Sequence, residues 1–254
     1  MKISIVTISF NQAKYLRQCI ESILTQKDSD VEYIVVDPGS TDGSRAIVES
    51  YGDKIIKVFE FDRGPADGLN QGFNMATGDI FGFINSDDYL WPGALSHITR
   101  YFKEHGLGSF VTGQGYTHTL SGQKLRLRPE PLTLQNMLHR SAVMFQQATF
   151  FPARAYKEAG GFNIQNDTCW DYEIFLKFLQ QGLSHDVISQ DVAAFRLHED
   201  SISGSGRLTG RYLDEMDKIF KSVSGRARNP ADKMLTLFLR IRREIVRKLG
   251  THSK

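Results

Sequence analysis

Ile80-Phe-Gly-Phe-Ile-Asn-Ser-Asp-Asp88 is the stretch that decides the fold. Its first five residues are apolar without alternation, as in a strand buried on both faces of a parallel sheet. It then closes on two adjacent carboxylates, Asp87 and Asp88. Working outward, three earlier apolar runs read as strands over residues 3–10, 31–37 and 55–61. Helical spacing separates them at 13–26, 44–51 and 67–77. Tyr15, Leu16, Cys19, Ile20, Ile23 and Leu24 form one apolar helix face, which makes Cys19 a core residue. Strands alternating with helices predict an α/β domain with a mostly parallel central sheet and flanking helices, Rossmann-like in its first half.

Downstream, a helix is expected from Trp91 to about residue 105, with Pro92 in its first turn. Strands and loops follow over 109–150 around a helix at 132–138. A helix at 170–181 and a strand at 187–197 come next. Residues 199–210 form a Gly/Ser-rich loop, followed by helices at 211–223 and 230–249. The expected organisation is a catalytic domain over 1–205 and a basic, amphipathic helical extension over 206–254.

The chain has 254 residues, 41% hydrophobic and 24% charged, ordinary for a globular protein with a sizeable core. Cys19 and Cys169 stand in unrelated contexts, which predicts a reducing compartment without a disulfide framework; no spacing suggests zinc. No signal peptide and no membrane-spanning run is read, so the expected location is cytoplasmic, and the Asn166-Asp-Thr168 sequon is accidental. GxGxxG is missing after the first strand, and no GxxxxGK[ST] is present. Gly204-Ser-Gly206 with Gly210 imitates the former, far from any βαβ start. Net charge is +2, yet from Arg226 onward nine Lys/Arg face Asp232 and Glu244, a surplus of seven. In that tail Met234, Leu237, Phe238, Ile241, Ile245 and Leu249 recur at helical spacing, flanked by Arg240, Arg243, Arg247 and Lys248. Such a helix suits an anionic membrane surface, or it packs on the domain with its basic face in water.

Ligands of a parallel α/β sheet bind beyond the carboxyl ends of its strands. Three strand ends carry polar groups here: Ser9-Phe-Asn11, Asp37-Pro-Gly-Ser40 and Asn85-Ser-Asp-Asp88. Asp87 and Asp88 suit a divalent cation such as Mg²⁺ or Mn²⁺ shared with a diphosphate, or Asp88 caps the following helix. Asp171 stands four residues before Phe175, in line with the apolar stripe Ile174, Phe175, Phe178 and Leu179. It therefore points towards the interior or a cleft, where it is either a general base or a first-turn helix residue capped through Thr168. Glu173 falls on the water side, paired with Lys177. His198 is either a metal ligand or an ordinary surface histidine.

Taken together, these segments resemble the inverting family 2 glycosyltransferases over residues 1 to 205. The resemblance rests on Thr7-Ile-Ser-Phe-Asn11, Val35-Val-Asp-Pro-Gly-Ser-Thr-Asp-Gly43, Asn70-Gln-Gly72 with Ala76-Thr-Gly-Asp79, and Asn85-Ser-Asp-Asp88. It is completed by Gln147-Ala-Thr-Phe-Phe151 with Gly160-Gly-Phe162, Asp171-Tyr-Glu173, and Arg196-Leu-His198 with Ser201-Ile-Ser203. The resemblance implies the GT-A fold and transfer of a sugar from a UDP- or GDP-type nucleoside-diphosphate donor to a glycan or lipid-linked acceptor hydroxyl. The setting it implies is bacterial capsule, O-antigen or exopolysaccharide synthesis; the basic tail, where it meets a membrane, would make the enzyme peripheral on the inner face and bring it to a lipid-linked acceptor. It implies Asp171 as the catalytic base and Asp88, Asp87 and His198 as the Mn²⁺ or Mg²⁺ site of a DXD motif. The donor would be held by Thr7, Ser9, Asn11, Asp37, Ser40, Asp62-Arg63, Asp67, Asn70 and Asp87. Pro38, Trp170 and Asn85 depart from the common pattern.

Two rival classes are weighed. A non-catalytic sugar- or nucleotide-binding domain need not keep Asp87, Asp88, Asp171 and His198 together. A sugar-nucleotide pyrophosphorylase carries a Gly-rich basic loop after its first strand, which Ser9-Phe-Asn-Gln-Ala13 is not. No aromatic stacking platform accompanies the basic tail, so nucleic acid is not an expected partner. Residues 113–118 and 146–149 are expected to shape donor and acceptor choice.

Overall fold

A computed structural model describes residues 1–119, 121–199 and 208–250 of the chain. Ser201 to Ser203, the Gly204 and Gly206 loop, and the side chains of Arg247, Lys248 and Leu249 lie outside the described part. The first half is β1 (Lys2–Ile8), α1 (Ala13–Leu24), β2 (Asp30–Val36), α2 (Ser44–Glu49), β3 (Ile56–Val58), α3 (Pro65–Met75) and β4 (Ile80–Asn85). These strands lie in the order β3-β2-β1-β4, all parallel. Then come β5 (Tyr89–Leu90), α4 (Ala94–His105), β6 (Ser109–His118), β7 (Lys124–Leu127), α5 (Leu134–Leu138), β8 (Thr149–Pro152) and α6 (Ala153–Glu158). The chain ends in α7 (Trp170–Gln180), β9 (Ser184–Arg196), α8 (Thr209–Ser224) and α9 (Pro230–Gly250). β8 joins β4 antiparallel and continues the sheet through β6 and β9 to β5, so the parallel half runs into a mixed half.

The sheet is sandwiched between two cores, and the pleat of each strand divides its side chains between them. Ile3 and Ile5 of β1 face Leu16, Cys19, Ile20 and Ile23 of α1 and Leu95, Ile98 and Phe102 of α4. Val6 faces Leu69 and Phe73 of α3, in a core extended by Phe175 and Phe178 of α7. Gly72 lets α3 come this close, because a Cβ there would overlap Val6. Phe73, Phe81, Phe83, Phe151, Tyr156 and Phe162 stack and tilt against one another within that second core, with Phe73 and Phe81 centroids 4.8 Å apart.

Two sequence expectations change. Helix α4 starts at Ala94, not Trp91, because Gly93 turns the chain with φ +80° and Tyr89–Leu90 pairs with β9 instead. The third strand shrinks to three residues. Beyond residue 206, Met216 and Ile219 of α8 are buried in the same cluster as Phe175.

Candidate active site

The backbone ladder continues just past three strands: the Ser9 amide donates to Val36 O, Asp37 to Val58 O and Ser86 to Ile8 O. Ser9, Asp37 and Ser86 are thereby held at one edge of the sheet. A cleft of about 550 Å³ opens there, lined by Ser9, Phe10, Pro38, Phe61, Asp62, Asn85, Ser86 and Asp87. Gln146, Gln147, Thr168, Trp170 and Asp171 close its far side.

Several residues expected to hold a donor make hydrogen bonds within the protein. Thr7 is fully buried, accepts a hydrogen bond from Tyr33 Oη at 3.0 Å, and does not reach the cleft. Asn11 and Ser40 clip two loops together: Asn11 Oδ1 accepts from the Thr41 amide at 2.9 Å, and Ser40 Oγ accepts from the Asn11 amide at 2.9 Å. Asn70 Oδ1 accepts from Tyr156 Oη and the Phe162 amide, and its Nδ2 donates to Phe162 O, so the amide ties α3 to the 160–162 turn. Asp67 Oδ2 accepts from the Arg63 amide, a local turn bond, and neither residue lines the cleft. Asp62, in the stretch also expected to hold the donor, does face it; burial pushes the Asp62 carboxyl up, against the Gly64 amide that bonds it. Of residues 113–118 none lines the cleft, and Gly113 and Gly115 lie tight against Val192 and Ala193.

Ser9 lines the cleft, and Asp37 stands just before the lining residue Pro38. Asp37 Oδ1 accepts from the Gly39 and Ser40 amides, which shapes the loop carrying Pro38. Asp37 Oδ2 and Ser9 Oγ are buried with no partner among the described residues, and such groups are costly unless something else bonds them.

The paired carboxylates divide their work. Asp88 is fully buried, and its Oδ1 accepts from the Arg196 amide at 2.8 Å, which draws the end of β9 onto the β4–β5 turn. Burial first, then the adjacent Asp87 carboxylate, pushes Asp88 well above the usual carboxylate range. It caps no helix. Asp87 lines the cleft, and its Oδ2 lies 2.8 Å from His198 Nε2. Arg196 locks this corner by donating to Asp87 O and Gln18 Oε1, with its guanidinium over the Tyr15 and Tyr89 rings.

Asp171 faces the cleft from the first turn of α7, as its helical spacing requires. Burial raises its carboxyl to about 6, while its Oδ1 accepts from the Tyr172 amide at 2.8 Å. The Thr168 cap is not formed, since Cys169 is the cap residue and its side chain makes no capping bond. Glu173 does not pair with Lys177 in water; it is half-buried and accepts from Asn163 and Asn166.

Sequence reasoning missed Glu215 of α8. Its buried carboxylate accepts from the Asp167 and Thr168 amides, each at 3.0 Å, and from the Thr168 hydroxyl. Glu215 thus fixes the loop that leads into Asp171. Its only sequence signal is a charge on the inner face of an amphipathic helix. Phe10 and Phe61 were also missed as cleft residues, although both are largely exposed at its rim.

A family model described as glycosyl transferase family 2 matches residues 4–162. An uncharacterized glycosyltransferase of Nostoc sp. is 39% identical over 107 residues, covering 41% of this chain and 33% of that protein. One of Rickettsia typhi is 28% identical over 241 residues, covering 84% and 74%. The chain therefore spans about a third of the Nostoc relative's length and three quarters of the Rickettsia one's. Among solved structures, S. aureus TarS 1-349 in complex with UDP-GlcNAc aligns with a TM-score of 0.73 at 18% identity, covering 94% of this chain and 70% of that one. The mannosyltransferase PcManGT from Pyrobaculum calidifontis, in complex with GDP-Man and Mn²⁺, aligns at 0.66 and 14% identity, covering 99% and 75%. At these identities the likeness shows a shared fold.

Proposed function

The chain belongs to glycosyl transferase family 2 and has the GT-A fold, and on that premise we propose that it moves a sugar from a nucleoside-diphosphate donor to an acceptor hydroxyl with inversion. The observation that carries this reading is the placing of Asp171 and Asp87 in one cleft at the carboxyl edge of the parallel strands. Phe10, Pro38 and Phe61 offer an apolar rim suited to a nucleobase, and Ser9 and Asp62 line the same cleft. A UDP- or GDP-type donor is consistent with the ligands in TarS and PcManGT.

Asp171 is the general base of this proposal: ionised, it accepts the acceptor's proton as that oxygen bonds to the anomeric carbon and the nucleoside diphosphate leaves. Trp170, beside it in the cleft wall, is nearly buried and helps keep water from that carbon.

Among the described residues no group of three His, Cys, Asp or Glu side chains is arranged to hold a metal ion. Asp87 Oδ2 and His198 Nε2 are nonetheless adjacent, and Asp88 Oδ2 is buried without a partner beside them. A carboxylate and an imidazole, with a second carboxylate behind, fit Mn²⁺ or Mg²⁺ completed by diphosphate oxygens. Asp87, His198 and Asp88 would hold the ion, and it would supply charge stabilisation to the departing diphosphate. The acceptor we propose is a glycan or lipid-linked glycan in bacterial surface-polysaccharide synthesis.

A thermal-shift screen of nucleoside diphosphates with and without Mn²⁺ tests the donor site on the wild type and Asp87→Asn. Stabilisation by one nucleotide that needs the metal and vanishes in the variant is the expected result. No shift with any nucleotide would overturn the reading. Binding without turnover of any donor sugar would favour the non-catalytic alternative.

A further inference from the structure

Helix α9 has one face committed to the protein and an opposite face committed to nothing described. On the committed side Arg240 donates to Arg140 O at 3.0 Å and Arg243 to Ser141 O at 2.8 Å, with Leu235 and Leu239 half-buried. Before the helix, Arg228 donates to Leu138 O at 2.8 Å. Asp232 anchors the helix start through the Asn229 amide and the Arg226 guanidinium. These bonds fix the rotation of α9 about its own axis.

That rotation leaves Met234, Leu237, Phe238, Ile241 and Ile245 outward, at intervals of three and four residues. They are 51–74% exposed, an unusual share for five large apolar side chains on one stripe. Exposed Lys233 and Arg242 stand on either side of the stripe. No helix among the described residues is long and apolar enough to cross a membrane. We propose that this face lies on an anionic lipid surface, with the apolar stripe among the acyl chains and Lys233 and Arg242 at the headgroups. Lys233 and Arg242, the exposed cations that flank the stripe, select this occupant. A second copy docking through the same face would bring like charges together, whereas anionic headgroups neutralise them.

The face is also coupled to the catalytic helix. Segment 138–141 carries α9, and just before it Met137 O accepts from the Tyr172 hydroxyl, next to Asp171. Lipid docking therefore orients a body that includes Asp171.

Cosedimentation of the full chain with vesicles tests this. One set contains phosphatidylglycerol in phosphatidylcholine, and the other phosphatidylcholine alone. Sedimentation is expected only with phosphatidylglycerol, falling as salt rises. Arg242→Glu should weaken it by roughly fivefold or more. The Leu237→Asp/Phe238→Asp double variant should abolish it while leaving the melting temperature and the nucleotide-dependent thermal shift unchanged. Absence of phosphatidylglycerol-dependent sedimentation in the wild type would overturn the proposal, whatever the variants do. So would a wild-type dimer in solution that the double variant converts to a monomer. Nucleotide binding is read separately, so failure here leaves the donor cleft untouched, and failure there leaves this surface standing.

Discussion

Glu215 bonds Thr168 twice, through the backbone amide and through the side-chain hydroxyl, across 47 residues of sequence. Thr168 lines the cleft three residues before Asp171, so a helix near the C-terminal end of the chain sets the approach to the proposed base.

Replacing Glu215 with Ala removes two acceptor oxygens that take three hydrogen bonds from residues 167 and 168, and leaves the Asp167 and Thr168 amides to find others. A stability loss of about 1–3 kcal/mol is expected from the unpaired buried donors. Displacement of the Asp171 loop should also cut kcat by roughly a hundredfold, with donor KM little changed. Steady-state kinetics beside a urea melt separate the two effects; a kcat equal to the wild type's would limit Glu215 to stability.

Asp171 must be ionised to accept a proton, and burial raises its carboxyl from 3.8 to about 6. Activity should therefore rise with pH, about tenfold per unit below 6, and level off above it. Asp171→Asn should cost roughly 10²–10⁴ in kcat while keeping the nucleotide-dependent thermal shift. A rate profile flat from pH 5 to 8 would remove Asp171 from the chemistry.

Asn70 offers a contrast. Its amide is spent on Tyr156 and Phe162, so Asn70→Ala orphans a buried hydroxyl, an amide and a carbonyl. About 2 kcal/mol of stability should be lost, with the donor KM of the folded fraction unchanged. A large rise in KM at unchanged melting temperature would restore Asn70 to the donor site.

Glu32 links β2 to the start of β1 and to the turn before β4. Burial alone would raise its carboxyl, but bonds from Lys2, Ser4 and Thr77 outweigh it and hold the group at about 2, below its ordinary 4.5. A depressed value means the unfolded chain takes up the proton first. The stabilisation is full above pH 4.5 and is lost as pH falls towards 2. Urea melts of wild type and Glu32→Gln should differ most near neutral pH and converge in acid; a gap constant with pH would contradict this.

Much of the fold was legible because burial is written into hydrophobic period. The run Ile80 to Asn85, the α1 face of Leu16, Cys19, Ile20 and Ile23, and the α7 stripe of Ile174, Phe175 and Phe178 all take the places their spacing predicts. The start of α4 was not, because a glycine at positive φ and the pairing of Tyr89–Leu90 with β9 override the helical signal after Trp91.

By itself the sequence determined the parallel half of the sheet, the strand ends that carry polar groups and the helix face that bears Asp171. Each is a local consequence of which side chains leave water. Only the tertiary structure decided which polar groups face the cleft and which are spent on the protein. Thr7 meets Tyr33, Asn11 meets Ser40, Asn70 meets Phe162, and Thr168 meets Glu215. A polar side chain has more than one way to satisfy its hydrogen bonds, and these partners stand 26 to 92 residues apart, so no local pattern selects among them.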